Sequence, residues 1–150
     1  MTSSSSTGVL ARVPELIRGA PREQGGTLWR LVAGARQLDA HVLRLGPGAE
    51  VASHVEPDLD VLLYVTEGDG WLVADGTRRE LTPGTVVWIA RGTPRGIGAD
   101  PTGLTYLTVH RRRPGRAARP AATRGPCAGC GRPPRDPGAR FCCDCGTRLG

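Results

Sequence analysis

A chain of 150 residues with a formal net charge of +6 has room for one ordinary domain and a small appendage. It contains no apolar run long enough to cross a bilayer and none near Met1 that resembles a secretion signal, so we expect a soluble, cytoplasmic protein without membrane contact. The chain has no lysine, which excludes Schiff-base and lysine-nucleophile mechanisms.

The positive charge is concentrated at the C-terminal end. Residues 1–110 contain ten arginines and twelve acidic residues, a net charge of −2, whereas residues 111–150 contain ten arginines and two aspartates, a net charge of +8. Residues 1–26 begin with a polar, low-complexity run over residues 1–8, and we predict that this N-terminal segment is disordered or extended.

From residue 27 to residue 110, short β-favouring runs alternate with Gly, Pro and Asp. Turn signals include residues 67–70 and Asp100-Pro101. Nine short strands without a convincing helix predict an all-β antiparallel sandwich or barrel. We predict strands at residues 28–33, 38–45, 49–54, 61–66, 70–75, 78–81, 85–90, 94–98 and 104–110.

Two stretches within this part of the chain resemble the sequence motifs of the cupin family. Residues 48–56 (GAEVASHVE) and 60–68 (DVLLYVTEG) look like the first cupin motif, and residues 83–96 (PGTVVWIARGTPRG) look like the second. The resemblance covers residues 27–110 and implies a single-domain jelly-roll barrel, open at one end, with a pocket lined by inward side chains. It also implies that two such barrels pair as a homodimer.

The metal-binding positions of the motifs are only partly kept. By resemblance, His54 stands at the first position, Glu56 at the second, Val61 at the third and Arg95 at the fourth. Valine cannot bind a metal, and the permanent cation of arginine repels one. We therefore do not expect a metal in the barrel, although a triad of His41, His54 and Glu56 is an alternative donor set.

Three interpretations of the pocket remain open. Glu56 and Arg95 satisfy each other as an ion pair in a barrel that has lost its chemistry. Alternatively, Arg95 binds the carboxylate or phosphate of a small anionic ligand that His54 and Glu56 orient. The third interpretation is an enzyme, either metal-dependent (a dioxygenase or isomerase) or using His54 and Glu56 in acid–base chemistry. We favour a non-catalytic binding or regulatory module and assign no catalytic residue.

Residues 111–125 read as a linker rich in Arg, Pro and Ala. Its arginines suit a nucleic-acid backbone, but no aromatic residues are interleaved for base stacking, so we favour a solvated linker over a nucleic-acid accessory function.

The last segment, residues 126–150, contains two C-x-x-C-G knuckles, Cys127 to Gly131 and Cys142 to Gly146. This spacing predicts a structural Zn²⁺ site formed by Cys127, Cys130, Cys142 and Cys145, with Cys143 as a spare thiol. Five cysteines within one metal pattern also favour a reducing compartment. Residues 126–149 resemble the zinc-ribbon modules at the ends of many bacterial proteins, and this resemblance implies metal binding without naming a partner. We expect the ribbon to contact a macromolecule, with a protein partner favoured.

Overall fold

The computed structural model describes residues 7–113, 126–132, 140–142 and 145–148. The chain divides into two compact units, Met1–Arg112 and Arg113–Gly150. The predicted linker over residues 111–125 and the spare thiol Cys143 lie almost entirely outside the described residues. No helix in the described ranges is long and apolar enough to span a membrane.

The first unit is built almost entirely of antiparallel β-strands, as the alternation of apolar and polar residues predicts. A single short helix, α1, precedes them at Val13–Arg18. The seven strands are β1 Gly26–Arg30, β2 Leu38–Leu45, β3 Glu50–His54, β4 Val61–Ala74, β5 Thr77–Leu81, β6 Val86–Ile89 and β7 Arg95–Arg111.

Two long strands, β4 and β7, pair with each other along their whole lengths. Every other strand except β1 pairs with one of these two. One layer contains the first half of β4 and the second half of β7. In this layer β6 lies beside β4, β2 lies beside β7, and β1 lies beside β2. The remaining halves form a second layer with β3 beside β7 and β5 beside β4. Val65 and Leu104 of the first layer pack with Leu72 and Leu81 of the second, all at most 2% exposed, so the two layers enclose one core.

The prediction of separate strands at residues 61–66 and 70–75, joined by a turn at residues 67–70, was wrong. The chain runs on as a single strand that bends where the register shifts between Gly68 and Gly70. Gly68 has φ +78°, and a Cβ there would collide with the carbonyl oxygen of Gly103 on the neighbouring strand. These glycines therefore let two strands approach and bend together at the closed end of the barrel. The strands predicted at 94–98 and 104–110 likewise merge into β7, without a turn at Asp100-Pro101.

The N-terminal segment is also more structured than the sequence predicted. Pro14 lies in the first turn of α1, where its fixed φ favours a helix and its missing N–H leaves no unmade bond. At the other end of the helix, Arg44 of β2 donates from Nη2 to the carbonyl of Ile17 (3.1 Å) and from Nη1 to that of Pro21 (3.1 Å). The expectation of a disordered or extended segment is thus corrected over residues 13–18. Six residues are too few for apolar periodicity to reveal a helix.

Candidate functional site

The residues that the motifs singled out lie at the open end of the barrel. β3 ends at His54 and β7 begins at Arg95, and these two residues are directly paired across the strands. Because Arg95 alternates with the core residues Ile97 and Ala99, its side chain lies on the inner face. His54 of the first motif and Arg95 of the second motif are therefore neighbours at one end of the barrel, which we call the mouth.

Arg95 is the most unusual side chain at this mouth. It is only 8% exposed, and its Nη1 nitrogen is buried without a hydrogen-bond partner. Loss of hydration lowers the pKa of the guanidinium, and the negative charge of Glu56 partly offsets this effect. No carboxylate in the described parts of the chain lies within 4.0 Å of Arg95, so the attraction to Glu56 acts without a contact ion pair.

Glu56 lies on the loop that connects β3 with β4, where hydrogen bonds hold its position. Its Oε1 accepts a bond from the backbone N–H of Asp58 (3.0 Å), and its carbonyl accepts one from Gly92 (2.8 Å). His54 is exposed, and its Nδ1 lies 3.0 Å from the carbonyl oxygen of Ala52. Since a carbonyl oxygen can only accept, Nδ1 is the donor in this contact.

The other two histidines of the chain stack on the opposite layer of the same mouth. The rings of His41 on β2 and His110 on β7 have centroids 6.0 Å apart and an interplanar angle of 27°. Both share the inner face, because His41 alternates with Leu43 and His110 with Tyr106 of the core. His41 was named as a possible donor from the sequence, but its stacking with His110 depends on the register of β2 against β7, which sequence periodicity does not specify.

The possible donors at the mouth do not form a compact metal site. Val61 is 9% exposed and belongs to the apolar core, in keeping with its inability to act as a ligand. Within the described residues, the group of potential ligands whose donor atoms lie within 4.8 Å of one another consists of four cysteines. The alternative triad of His41, His54 and Glu56 is not such a group in this conformation.

That cysteine group is the one that the C-terminal spacing predicted. The Sγ atoms of Cys127 and Cys145 are 3.6 Å apart, and those of Cys130 and Cys142 are 3.7 Å apart. Four sulfurs about 2.3 Å from a tetrahedral Zn²⁺ ion lie about 3.8 Å from one another, so the spacing fits. The four thiols can therefore hold a metal ion such as zinc.

The two knuckles have the same backbone geometry. In the first, Gly131 N–H donates to the carbonyl of Cys127 (2.8 Å), and in the second Gly146 N–H donates to that of Cys142 (2.8 Å). Both glycines have positive φ, +70° and +74°, a backbone conformation that a residue without Cβ adopts without strain. The pKa of Cys127 is lowered to about 6, chiefly by the backbone N–H of Cys130, so a thiolate is favoured in the cluster.

Comparison with known proteins agrees with this geometry. Residues 43–114 match the model of the AraC-like ligand binding domain. The barrel has the fold of a cupin. Its fold is similar to that of a cupin protein from Bacteroides fragilis, with a TM-score of 0.51, 19% identity and coverage of 61% of this chain and 83% of that one.

Two relatives of this cupin barrel have names that describe enzymes. The chain is 39% identical over 89 residues to (R)-mandelonitrile lyase of Granulicella tundricola, an alignment that covers 58% of this chain and 63% of the lyase. It is 28% identical to the polyketide cyclase RemF of Streptomyces resistomycificus, with a TM-score of 0.50 and coverage of 55% of this chain and 61% of RemF. The chain thus spans less than two thirds of either enzyme.

Proposed function

We propose that the cupin barrel is a non-catalytic module that binds a small anionic ligand through Arg95, joined to a structural zinc ribbon that contacts a macromolecule. The observation that carries the ligand proposal is the buried Nη1 of Arg95, which has no hydrogen-bond partner. A buried unsatisfied donor costs about 1–3 kcal/mol, and a bound carboxylate or phosphate removes that cost with a charge-assisted bond.

The match to a ligand-binding domain model supports this proposal over a purely structural ion pair. In an ion pair, the Glu56 carboxylate would contact the guanidinium. Instead, its Oε1 accepts from the backbone N–H of Asp58, and in the described parts of the chain no carboxylate lies within 4.0 Å of Arg95. In this proposal, Glu56 and His54 orient the hydrogen-bonding groups of the ligand.

The test is a thermal-shift screen of full-length protein with small carboxylates and inorganic phosphate. We expect at least one anion to raise the melting temperature, and Arg95→Gln to remove the shift. The matched control is Arg91→Gln, because Arg91 is an exposed arginine paired with Asp60 at the same end of the barrel. If every anion-induced shift survives in Arg95→Gln, the assignment of an anion to this residue is refuted.

A metal-dependent enzyme is the alternative. The names of the two relatives favour an enzyme, and the dependence on a metal is our proposal. Such an enzyme needs a metal in the barrel, held by His54, Glu56 and a further donor such as His41. Metal analysis of full-length protein should be compared with the Cys127→Ser/Cys142→Ser double variant. Complete loss of metal supports the binding module, whereas a transition metal retained in the double variant and removed by His54→Ala supports the enzyme.

For the ribbon, we propose that Zn²⁺ holds its fold and that it serves in a reducing, cytoplasmic environment. Exposed Phe141 (42%) is bridged to Arg148 and follows Arg140, so an apolar group is flanked by positive charge. This suits a protein partner with an acidic surface. Titration of the zinc-loaded protein with a labelled acidic peptide and a labelled single-stranded oligonucleotide separates the two macromolecular partners. Tighter binding of the oligonucleotide, lost in Phe141→Ala, would favour the nucleic-acid accessory function instead.

We further propose that two barrels pair through an outer apolar face on β4 and β6. This face consists of Leu62, Tyr64, Val86 and Trp88, which are 40%, 42%, 61% and 63% exposed. Leu62 lies opposite Trp88, and Tyr64 opposite Val86, so the four side chains are contiguous. An aromatic side chain contributes roughly 150–250 Å², and the two aromatics alone expose about 200 Å².

An uncharged patch of this size suits a second copy of itself as the apolar centre of an interface that needs about 800 Å² per partner. Sedimentation velocity is expected to show a dimer that Trp88→Glu dissociates, whereas Val32→Glu, a change at another exposed apolar residue, leaves it intact. A monomeric wild-type chain would refute the pairing.

A further inference from the structure

A cavity of about 380 Å³ lies at the closed end of the barrel, away from the mouth. It is bounded by the segment after α1, the end of β2 and the bends of β4 and β7. None of His54, Glu56 and Arg95 lines it. The polar residues of its wall are Arg22, Arg44, Glu67, Thr102 and Thr105.

Arg44 brings a buried positive charge to this cavity. Its side chain is only 8% exposed, and its hydrogen bonds go to neutral acceptors: the carbonyls of residues 17, 20 and 21 and, at 3.5 Å, the hydroxyl of Thr105. In the described parts of the chain, no carboxylate lies within 4.0 Å of its guanidinium. A buried cation without a counterion is costly, so an anion in the cavity would stabilise this arrangement.

The other polar residues that line the cavity indicate what kind of anion fits there. Arg22 adds a second, exposed guanidinium whose planar fork of N–H donors suits a carboxylate. Arg44, whose three nitrogens already donate to protein acceptors, adds positive charge to the cavity. Glu67 is an acceptor that repels a second negative charge and favours a hydrogen-bond donor on the ligand. The volume lies near the lower end of the 300–1,000 Å³ that ligand pockets span, which restricts the occupant to a small molecule.

We propose that this cavity is a second binding site, specific for a small carboxylate that also carries a hydroxyl or ammonium group. The carboxylate is bound by Arg22 and attracted by the buried positive charge of Arg44, and the donor group is held by Glu67. The site is independent of the anion site proposed at Arg95, since the two share no residue.

The experiment is an NMR titration of zinc-loaded, ¹⁵N-labelled full-length protein with L-lactate and, in parallel, with acetate. We expect saturable shifts of the backbone amides of Gly68, Thr102 and Gly103, with L-lactate binding about tenfold tighter than acetate. Glu67→Gln should reduce this preference, because it removes the charge that holds the hydroxyl while leaving the carboxylate site unchanged.

Variants at the cavity rim separate specific binding from general attraction to a basic protein. Arg22→Gln should weaken L-lactate binding about tenfold, whereas Arg12→Gln, which removes an equal charge from the exposed start of α1, should leave it unchanged. Binding that persists in Arg95→Gln locates the site away from the mouth. Absence of saturable shifts at the three amides, equal weakening by Arg12→Gln and Arg22→Gln, or loss of binding in Arg95→Gln would each overturn the proposal.

Discussion

Replacing Arg95 with methionine removes a buried charge while keeping most of the volume of its side chain. In the ligand-free protein this change should stabilise the fold, because the 8% exposed guanidinium leaves Nη1 without a partner. The lowered pKa of Arg95 also predicts that the substitution stabilises the fold. Loss of hydration outweighs attraction by Glu56, so the folded protein disfavours the charged form.

The magnitude follows from the cost of one unsatisfied buried donor, about 1–3 kcal/mol. The lost attraction to Glu56 subtracts from that gain, which leaves a net stabilisation of about 1 kcal/mol. For a domain of this size, 1 kcal/mol corresponds to a rise of roughly 4–8 °C in the melting temperature. Since arginine stays protonated far above neutrality even with a lowered pKa, the gain should not vary between about pH 6 and pH 8.

Thermal unfolding followed by circular dichroism, with and without the anion found in the ligand screen, checks both parts of the prediction. Arg95→Met should melt higher than the wild type without ligand and show no ligand-induced shift. A variant that melts several degrees lower would refute the reasoning, because it would mean that Arg95 and Glu56 stabilise the barrel as an ion pair.

Three further predictions concern other parts of the chain. Arg44→Met should destabilise the first unit by about 2 kcal/mol, because two well-formed bonds to carbonyls at the end of α1 are lost, and hydrogen exchange should rise at residues 13–21. Gly68→Ala should cost about 3 kcal/mol or more in urea unfolding, since φ is +78° and the new Cβ meets the Gly103 carbonyl. Removal of zinc with a chelator should unfold the ribbon but leave the melting of the barrel unchanged.

Each of these three predictions has an outcome that would contradict it. Unchanged exchange in Arg44→Met would show that α1 is held by other contacts. The control is Gly76→Ala, where φ is also positive but nothing lies within 4 Å of the new Cβ. If Gly68→Ala is as stable as this control, the close approach of β7 to Gly68 does not exclude a side chain there. A chain that binds no zinc in the wild type would contradict the assignment of the four cysteines.

The parts of the molecule that sequence could predict are those specified by local pattern. Alternation along β2 and the paired C-x-x-C-G spacing each depend on a few neighbouring residues, and the structure confirms the strand and the cluster of thiols. The glycines at 131 and 146 were predictable for the same reason, because a turn after each second cysteine requires a left-handed backbone.

The features that sequence missed depend on contacts between distant residues. Gly68 resembles a turn residue in isolation, and only the approach of Gly103 shows that it forms a bend within a strand. Helix α1 receives its C-terminal contacts from Arg44, at least 23 residues away, so its own sequence does not indicate it. The motif comparison named Arg95, but its buried, unpaired nitrogen emerged only from the packed barrel.

The position of β7 in the sequence has a consequence for synthesis. β7 pairs with β2, β3 and β4, yet it is the last strand of the barrel to be made. Until residues 95–111 are available, the strands already made lack their central partner and expose edges and apolar faces that favour aggregation. At about 5–20 residues per second, the seventeen residues of β7 take roughly 1–3 s to synthesise. Slowing translation over this one strand should therefore lower the soluble yield more than slowing it over the ribbon.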